Sequence, residues 1–353
     1  KKQQIAKLRK AIKEANDVLL ASDDDREGEA IAWHICQVFN LPVASTKRII
    51  FNEITKCALQ KSVKNPKRIN MDIVYAQQAR QILDIMVGFK ISPILWNKIS
   101  GKTGLSAGRC QSPALRLIYD NQREINESPG NKNYVTTGIF TGQNIPFVLN
   151  HNHSDEKSIE DFLETSVNHE HVYNYSEPKK SIKKQPTPFT TSTLQQSASN
   201  EFKMSPKNTM SACQTLYEGG FITYMRTDST TYSTDFIETA KKFILSEYTH
   251  EFIRADIDSL SLRAGGDKNA QEAHESIRPT DVQLKEVDSK LGVNERRVYK
   301  LIWRNTVESC MPDARFSVIK ATVSAPEEHS YRYSAEQVVF PGWMVVNGYE
   351  KIS

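Results

Sequence analysis

The chain has 353 residues, with 46 Lys and Arg against 42 Asp and Glu and a formal net charge of +4. Hydrophobic residues make up 39% and charged ones 25%, a soluble globular composition that excludes a fibrous or disordered polymer. Single cores stop growing at roughly 250–300 residues, so more than one domain is expected, and so mild an excess of positive charge does not by itself identify a polyanionic partner.

No apolar run reaches the roughly 18 residues of a membrane span, and no apolar segment follows the lysine-rich start as it would in a signal peptide. A soluble, intracellular protein with no membrane partner is expected. The five cysteines, Cys36, Cys57, Cys110, Cys213 and Cys310, lie far apart and form no CxxC pair. That argues against a disulfide framework or a zinc ribbon and suits a reducing compartment.

Ile5, Leu8, Ile12 and Ala15 recur at helical spacing among lysines and glutamines, which predicts a first helix. Val18 to Ala21 reads as a short buried strand, and AIAWHICQVF from Ala30 as a helix. The stretch ASDDDREGEA therefore lies where a strand ends and a helix begins, the position at which open α/β sheets bind ligands. Residues 72–87 predict a helix closed by Gly88, and a further helix is predicted to open with Ser112 as its N-cap and Pro113 in its first turn.

The pattern turns β-rich from Tyr134 to Asn150 and again at 315–340. Short strands need partners, so these two arms predict one β domain interrupted by a mostly helical insertion at about 185–308. Within the insertion, TSTLQQSASNEF and SPKNTMSACQTLYEGG predict two helices. Ser205 and Pro206 start the second, and Gly219 and Gly220 stop it. The pair is compatible with a helix-turn-helix, though most such pairs are only core architecture.

Three places carry chemistry. Asp23, Asp25 and Glu27 alternate, so in an extended segment their carboxylates would share a face. Crowded like charges call for a cation, and oxygen ligands select a hard one such as Mg²⁺. The plain alternative is a solvated acidic turn. An EF-hand fails because His34 stands where the bidentate glutamate belongs. A P-loop reading of Gly101-Lys102-Thr103 fails because Trp96 occupies the position of its first glycine.

Phe221 to Met225 reads as a strand, which points Tyr224 and Arg226 the same way. A phenol is a poor nucleophile unless a nearby cation favours the phenolate, and Arg226 is placed to be that cation and to hold a phosphate oxygen. A packed tyrosine beside a surface arginine is the competing reading. His274 and Arg278 lie four apart, on one face if a helix runs to Pro279, and could bind a phosphate; a surface histidine before a turn fits equally. His151, His153, His169 and His171 are placed in polar loops without a role.

Taken together, ASDDDREGEAIAWH, LSAGRCQSPALRLI, PFTTSTLQQSAS, LYEGGFITYMRTDST and NAQEAHESIRPT resemble, in this order, the motif series of type IA DNA topoisomerases. Met225 in YMRTDS resembles the bacterial topoisomerase I branch, since the topoisomerase III branch usually has proline there. The resemblance covers nearly the whole chain. It implies a multidomain α/β plus α plus β fold: a toroid with a Toprim α/β domain, helical domains and a β-rich strap. The implied boundaries are 1–69 for the Toprim part, 70–130 for the first half of a helical domain, 131–184 and 309–353 for the two strap arms, and 185–308 for the helical domain with the nucleophile.

Carried over, Tyr224 resembles the nucleophile that forms a 5′-phosphotyrosyl bond with single-stranded DNA, Arg226 and His274 the groups that hold the scissile phosphate, and Asp23, Asp25 and Glu27 the Mg²⁺ ligands. Arg109, Gln111, Ser112, Ser192, Thr193, Gln195, Asp228 and Arg278 are the expected DNA contacts. The implied activity is Mg²⁺-dependent, ATP-independent relaxation of negatively supercoiled DNA by a monomer.

Two features depart from the family pattern. A catalytic glutamate and lysine expected ahead of the acidic loop would precede Lys1, and the helical domain would be completed beyond Ser353. A protein limited to these residues is therefore expected to bind single strands but to cleave and rejoin them poorly. A Toprim nuclease or primase, or a non-catalytic single-strand-binding remnant, is the alternative expectation.

Overall fold

The structure, a computed structural model, describes residues 2–101, 104–261 and 275–349. These fall into two compact units, Lys1–Ser128 with Met210–Thr227, and Pro129–Thr209 with Asp228–Ser353.

In the first unit, helix α1 (Lys2–Glu14) precedes strand β1 (Leu19–Leu20), helix α2 (Arg26–Phe39) and strand β2 (Lys47–Arg48), which pairs parallel to β1. The crossover through α2 is the βαβ arrangement that parallel pairing requires. Helix α3 (Lys56–Lys64) leads to β3 (Lys67–Arg68), antiparallel to β2. Ala32 and Cys36, one turn apart on α2, pack with Leu20, Ile69 and Val74.

Helix α4 (Met71–Leu95) does not stop at Gly88. It runs on through Pro93 into a π-helical turn, Trp96–Ser100, and ends at Gly101 with φ of 61°. One interior glycine costs a helix only about 1 kcal/mol, too little to terminate one of this length. Helix α5 (Gln111–Glu127) begins two residues earlier than expected, so Ser112 lies inside its first turn rather than at the cap. Its hydroxyl accepts instead from the Gly108 N–H at 3.2 Å.

Residues of helix α8 (Pro206–Glu218) from Met210 onward belong to this unit. The chain then turns at Gly220, φ 76°, where a Cβ would lie 2.6 Å from the Ile54 carbonyl oxygen; glycine is required there by both conformation and space. The predicted strand at Phe221–Met225 does not form. Tyr224 donates its N–H to the Asn52 carbonyl at 2.7 Å, and Phe221 its N–H to the Leu216 carbonyl at 2.9 Å.

In the second unit, β4 (Tyr134–Ile139), β5 (Pro146–His153), β6 (Tyr173–Tyr175), β7 (Lys179–Lys183), β8 (Ala314–Ser324) and β9 (Ser330–Phe340) form one sheet of order β4-β5-β9-β8-β6, with β7 also on β8. The two β-rich segments thus share a sheet across the helical stretch, joined where Val148 faces Arg332 and Leu149 faces Tyr331. Helix α6 (Glu156–Val167) lays Phe162 on Phe147, Leu149, Ala321, Val323 and Tyr331. His151 and His153 lie in β5 rather than in a loop, and His153 is buried.

Between the arms run α7 (Thr191–Phe202), the start of α8, α9 (Thr234–Glu247) and α10 (Val293–Ser309), the last buried over most of its length. The helix predicted around His274 and Arg278 is not found at 275–280. There Ser276 donates to the Thr231 carbonyl and Ile277 bridges Phe189, and His274 lies outside the described residues. Among the described residues no helix is long and apolar enough to cross a membrane.

Candidate active site

The acidic loop is held from inside. Asp25 is the N-cap of α2, with Oδ1 accepting from the Gly28 N–H at 2.7 Å, and the Ser22 hydroxyl donates to the Gly28 carbonyl at 2.6 Å. Gly28 sits so tightly that a Cβ would fall 2.0 Å from the Asp23 carbonyl oxygen. Beneath it Arg48 and Glu29 form an ion pair with side chains only 1% and 4% exposed. Arg48 also donates to the Asp23 carbonyl at 2.7 Å, and Glu29 accepts from the Asn70 N–H at 2.7 Å. A charge pair this dry persists only when its remaining hydrogen-bonding capacity is used, and here that capacity fixes the loop.

Because α2 begins at Arg26, the alternating arrangement expected of the three carboxylates does not hold. Glu27 sits on the first helical turn and faces Arg80 at 3.5 Å. Asp23 and Asp25 remain neighbours: burial first, and then the charge of Asp25, push the Asp23 carboxyl above its ordinary range. Among the described residues no three His, Cys, Asp or Glu side chains gather as a metal site. The donor chemistry still fits a hard divalent cation, since it is all oxygen and one carboxylate is destabilised by the next.

Tyr224 completes the group. Its side chain is almost fully buried, and its hydroxyl donates to Asp25 Oδ2 at 2.6 Å. Arg226, more than half exposed, reaches the same oxygen at 3.4 Å. The Tyr217 ring packs edge-on to Tyr224 with centroids 5.3 Å apart. Burial and then the Asp25 hydrogen bond raise the Tyr224 phenol, outweighing the opposing charge of Arg226. Arg226 does favour the phenolate, as expected, but it is outweighed: the phenol is held protonated by desolvation and by an acceptor that needs its proton.

Of the other expected residues, Arg109 pairs with Asp84 at 2.7 Å on the exposed surface of the same unit. Exposed Gln111 donates to the Ser106 hydroxyl at 3.0 Å. In the second unit, Thr193 is spent on a reciprocal cap with Thr190, beside exposed Ser192 and half-buried Gln195. Asp228 is exposed. Arg278 is corrected: it is buried, bidentate on Glu275 at 2.5 and 3.1 Å, with its guanidinium 4.4 Å from the Phe236 ring centroid. It serves as an internal ion pair, because the chain folds it inward where a helix would have exposed it. Sequence reasoning missed Arg48, Glu29 and Gly28; the only trace is the glycine and second glutamate of DREGEA.

The description "DNA topoisomerase" belongs to the family model that matches residues 68–353, and "Toprim domain" to the one that matches residues 1–54. DNA topoisomerase 1 of Pasteurella multocida (strain Pm70) is 38% identical, with 98% of this chain and 40% of that protein covered. DNA topoisomerase 1 of Buchnera aphidicola subsp. Schizaphis graminum (strain Sg) is 39% identical over 96% of this chain and 40% of its own length. The chain thus spans about 40% of the length of these curated relatives. The solved structure of full-length topoisomerase I from Thermotoga maritima superposes with a TM-score of 0.79 at 33% identity, covering 99% of this chain and 58% of that one.

Proposed function

Since this chain belongs to the DNA topoisomerase family, on its bacterial type IA branch, and carries a Toprim domain, we propose that it supplies the strand-cleaving centre of an ATP-independent enzyme relaxing negatively supercoiled DNA. The Tyr224 hydroxyl resting on the Asp25 carboxylate carries the reading. A buried phenol needs an acceptor for its proton before it can attack, and the acceptor is already hydrogen-bonded to it.

In this scheme the phenol oxygen forms a bond to phosphorus and its proton passes to Asp25. The bond from phosphorus to the 3′-oxygen breaks, and that oxygen leaves as a hydroxyl after taking up one proton. The strand's 5′ end stays on Tyr224. Exchanging one phosphodiester for another conserves the bond energy, so rejoining is the reverse step and no nucleotide is hydrolysed. Arg226 holds a phosphate oxygen; such positioned charges contribute on the order of 10²–10³ in rate, by analogy with oxyanion donors. His274 enters by resemblance alone.

Mg²⁺, which Toprim domains generally bind, would be held by Asp23 and Asp25 with Glu27 adjoining, and would supply charge neutralisation beside the phosphate. Single-stranded DNA is the proposed partner, with Arg109, Gln111, Ser112, Ser192, Thr193, Gln195 and Asp228 as candidate contacts. A monomer located with intracellular DNA is proposed. The proposed domains are Toprim at 1–69, helical at 70–130, strap arms at 131–184 and 309–353, and the nucleophile's helical domain at 185–308.

End-labelled single-stranded DNA, denatured after incubation with the chain, should carry a covalent protein adduct that Tyr224→Phe abolishes. Nicks without an adduct would instead indicate a nuclease.

A further inference from the structure

We propose that the open face of the sheet in the second unit is a separate platform for single-stranded DNA, built by Tyr173 and Tyr175 with Lys180 and Arg315. In β8 the register sets Tyr173 opposite Val323, Tyr175 opposite Ala321, Lys180 opposite Ser317 and Ile182 opposite Arg315. Directly opposed residues share a face, as do alternate residues of one strand. Tyr173, Tyr175, Lys180, Ile182, Arg315 and Ile319 therefore lie on one side of the sheet. From β9, Ala335 opposite Ile319 and Gln337 opposite Ser317 add small or neutral groups.

The two halves of this face differ in cover. Ala321 and Val323 are buried in the core that includes Phe162 of α6. Beside them on the neighbouring strand, Tyr173 and Tyr175 are 57% and 68% exposed, and Ile182 and Ile319 farther along are exposed as well. The tyrosine rings stack on each other, centroids 6.1 Å apart and planes 29° from parallel. Farther along, the Arg315 guanidinium lies 4.7 Å from the Phe340 ring centroid.

Charge chooses the occupant. The strand positions on this side bring two cations and no carboxylate, because Glu336 faces Val318 and pairs with Lys183 on the opposite side. The carboxylates of Glu251, Asp256 and Asp313 line the hollow at the Arg315 end, off the strands, which leaves the Tyr173, Tyr175 and Lys180 end as the cationic part. A purely apolar partner would find those cations unanswered, whereas a polyanion with flat, unpaired bases meets both features. Exposed aromatic rings on a sheet stack successive bases, and neighbouring Lys and Arg meet the phosphates. The choice of DNA as that polyanion rests on the function proposed above.

The test is fluorescence anisotropy of a labelled oligothymidine titrated with the full chain. Replacing both tyrosines by alanine should weaken binding by roughly ten-fold or more, from the stacking each ring contributes. Replacing both by phenylalanine should preserve affinity, and Lys180→Glu should weaken it while flattening its salt dependence. Unchanged affinity in the alanine pair or in Lys180→Glu overturns the platform, as does equal loss in the phenylalanine pair. If the alanine pair abolishes self-association in sedimentation without altering DNA affinity, the face is a contact between copies and the proposal also falls. Adduct formation at Tyr224 is scored separately. An adduct with no platform effect sinks only this inference, and a platform effect with no adduct sinks only the cleavage reading.

Discussion

Tyr224 and Asp25 are 199 residues apart in sequence, yet the hydroxyl of one donates to the carboxylate of the other at 2.6 Å. The tyrosine is thereby stored as a phenol, and the group that holds it there is the one able to relieve it of its proton. Asp25→Asn keeps the shape and removes the base. Adduct formation should slow by about 10² or more, the range of a lost general base, with single-strand affinity unchanged. Single-turnover trapping measures this; a rate within a few-fold of the parent chain would remove Asp25 from the mechanism.

Asp23 is disfavoured as an anion by burial and by Asp25. Asp23→Asn should therefore raise the melting temperature at neutral pH without divalent ions. Mg²⁺ should raise it in the parent chain and fail to do so when both aspartates are replaced by asparagine. Differential scanning fluorimetry with and without chelator reads both effects, and an equal Mg²⁺ response in the double variant would place the ion elsewhere.

Arg48 and Glu29 stand buried beneath the acidic loop. Arg48→Ala leaves an uncompensated carboxylate and should cost about 3–5 kcal/mol, whereas Arg48→Met combined with Glu29→Met should recover much of that. Urea unfolding monitored by circular dichroism gives the comparison. If the double change is as damaging as the single one, the pair's role is its hydrogen bonds to the loop rather than its charge balance.

His153 is buried beside the rings of His151 and Phe162, at 4.8 Å from each centroid, and among the described residues neither of its ring nitrogens has a hydrogen-bond partner. Burial, then His151, and further off His329, lower its proton affinity, with Glu327 and Asp155 opposing. A histidine depressed in the folded state costs nothing while neutral in both states. Below its ordinary value near 6.5 the unfolded chain takes up a proton that the folded chain resists, so stability falls. The melting temperature should drop as pH moves from about 7 toward 5, and His153→Leu should flatten that dependence; a parallel curve would assign the loss to other groups.

The hairpin joining β8 to β9 turns through Glu327 and Glu328 at φ of 57° and 60°, closed by the His329 N–H on the Pro326 carbonyl at 3.1 Å. Two left-handed residues are what a type I′ turn needs, and glutamate adopts that conformation at a cost. Glu328→Gly should stabilise the chain by roughly 0.5–1 kcal/mol in equilibrium unfolding. A destabilised variant would mean that the side chain contributes more than its strain.

Much of the local order was written into the sequence in short-range signals. The stop at Gly219-Gly220, the start at Ser205-Pro206, the strand-to-helix step at the acidic loop and the alternation of the sheet strands all rest on residues within one or two turns of each other. So does the motif series that led to the family. Tertiary structure decided what those signals could not: α4 running through Gly88, Glu27 turning onto Arg80, Arg278 folding inward onto Glu275, and Arg48 anchoring the acidic loop from below. The physical reason is common to all four. Propensity and spacing bias a backbone by fractions of a kilocalorie per residue, whereas burying a charge or completing a core contact is worth several, and those partners are selected by packing across distances that no local pattern records.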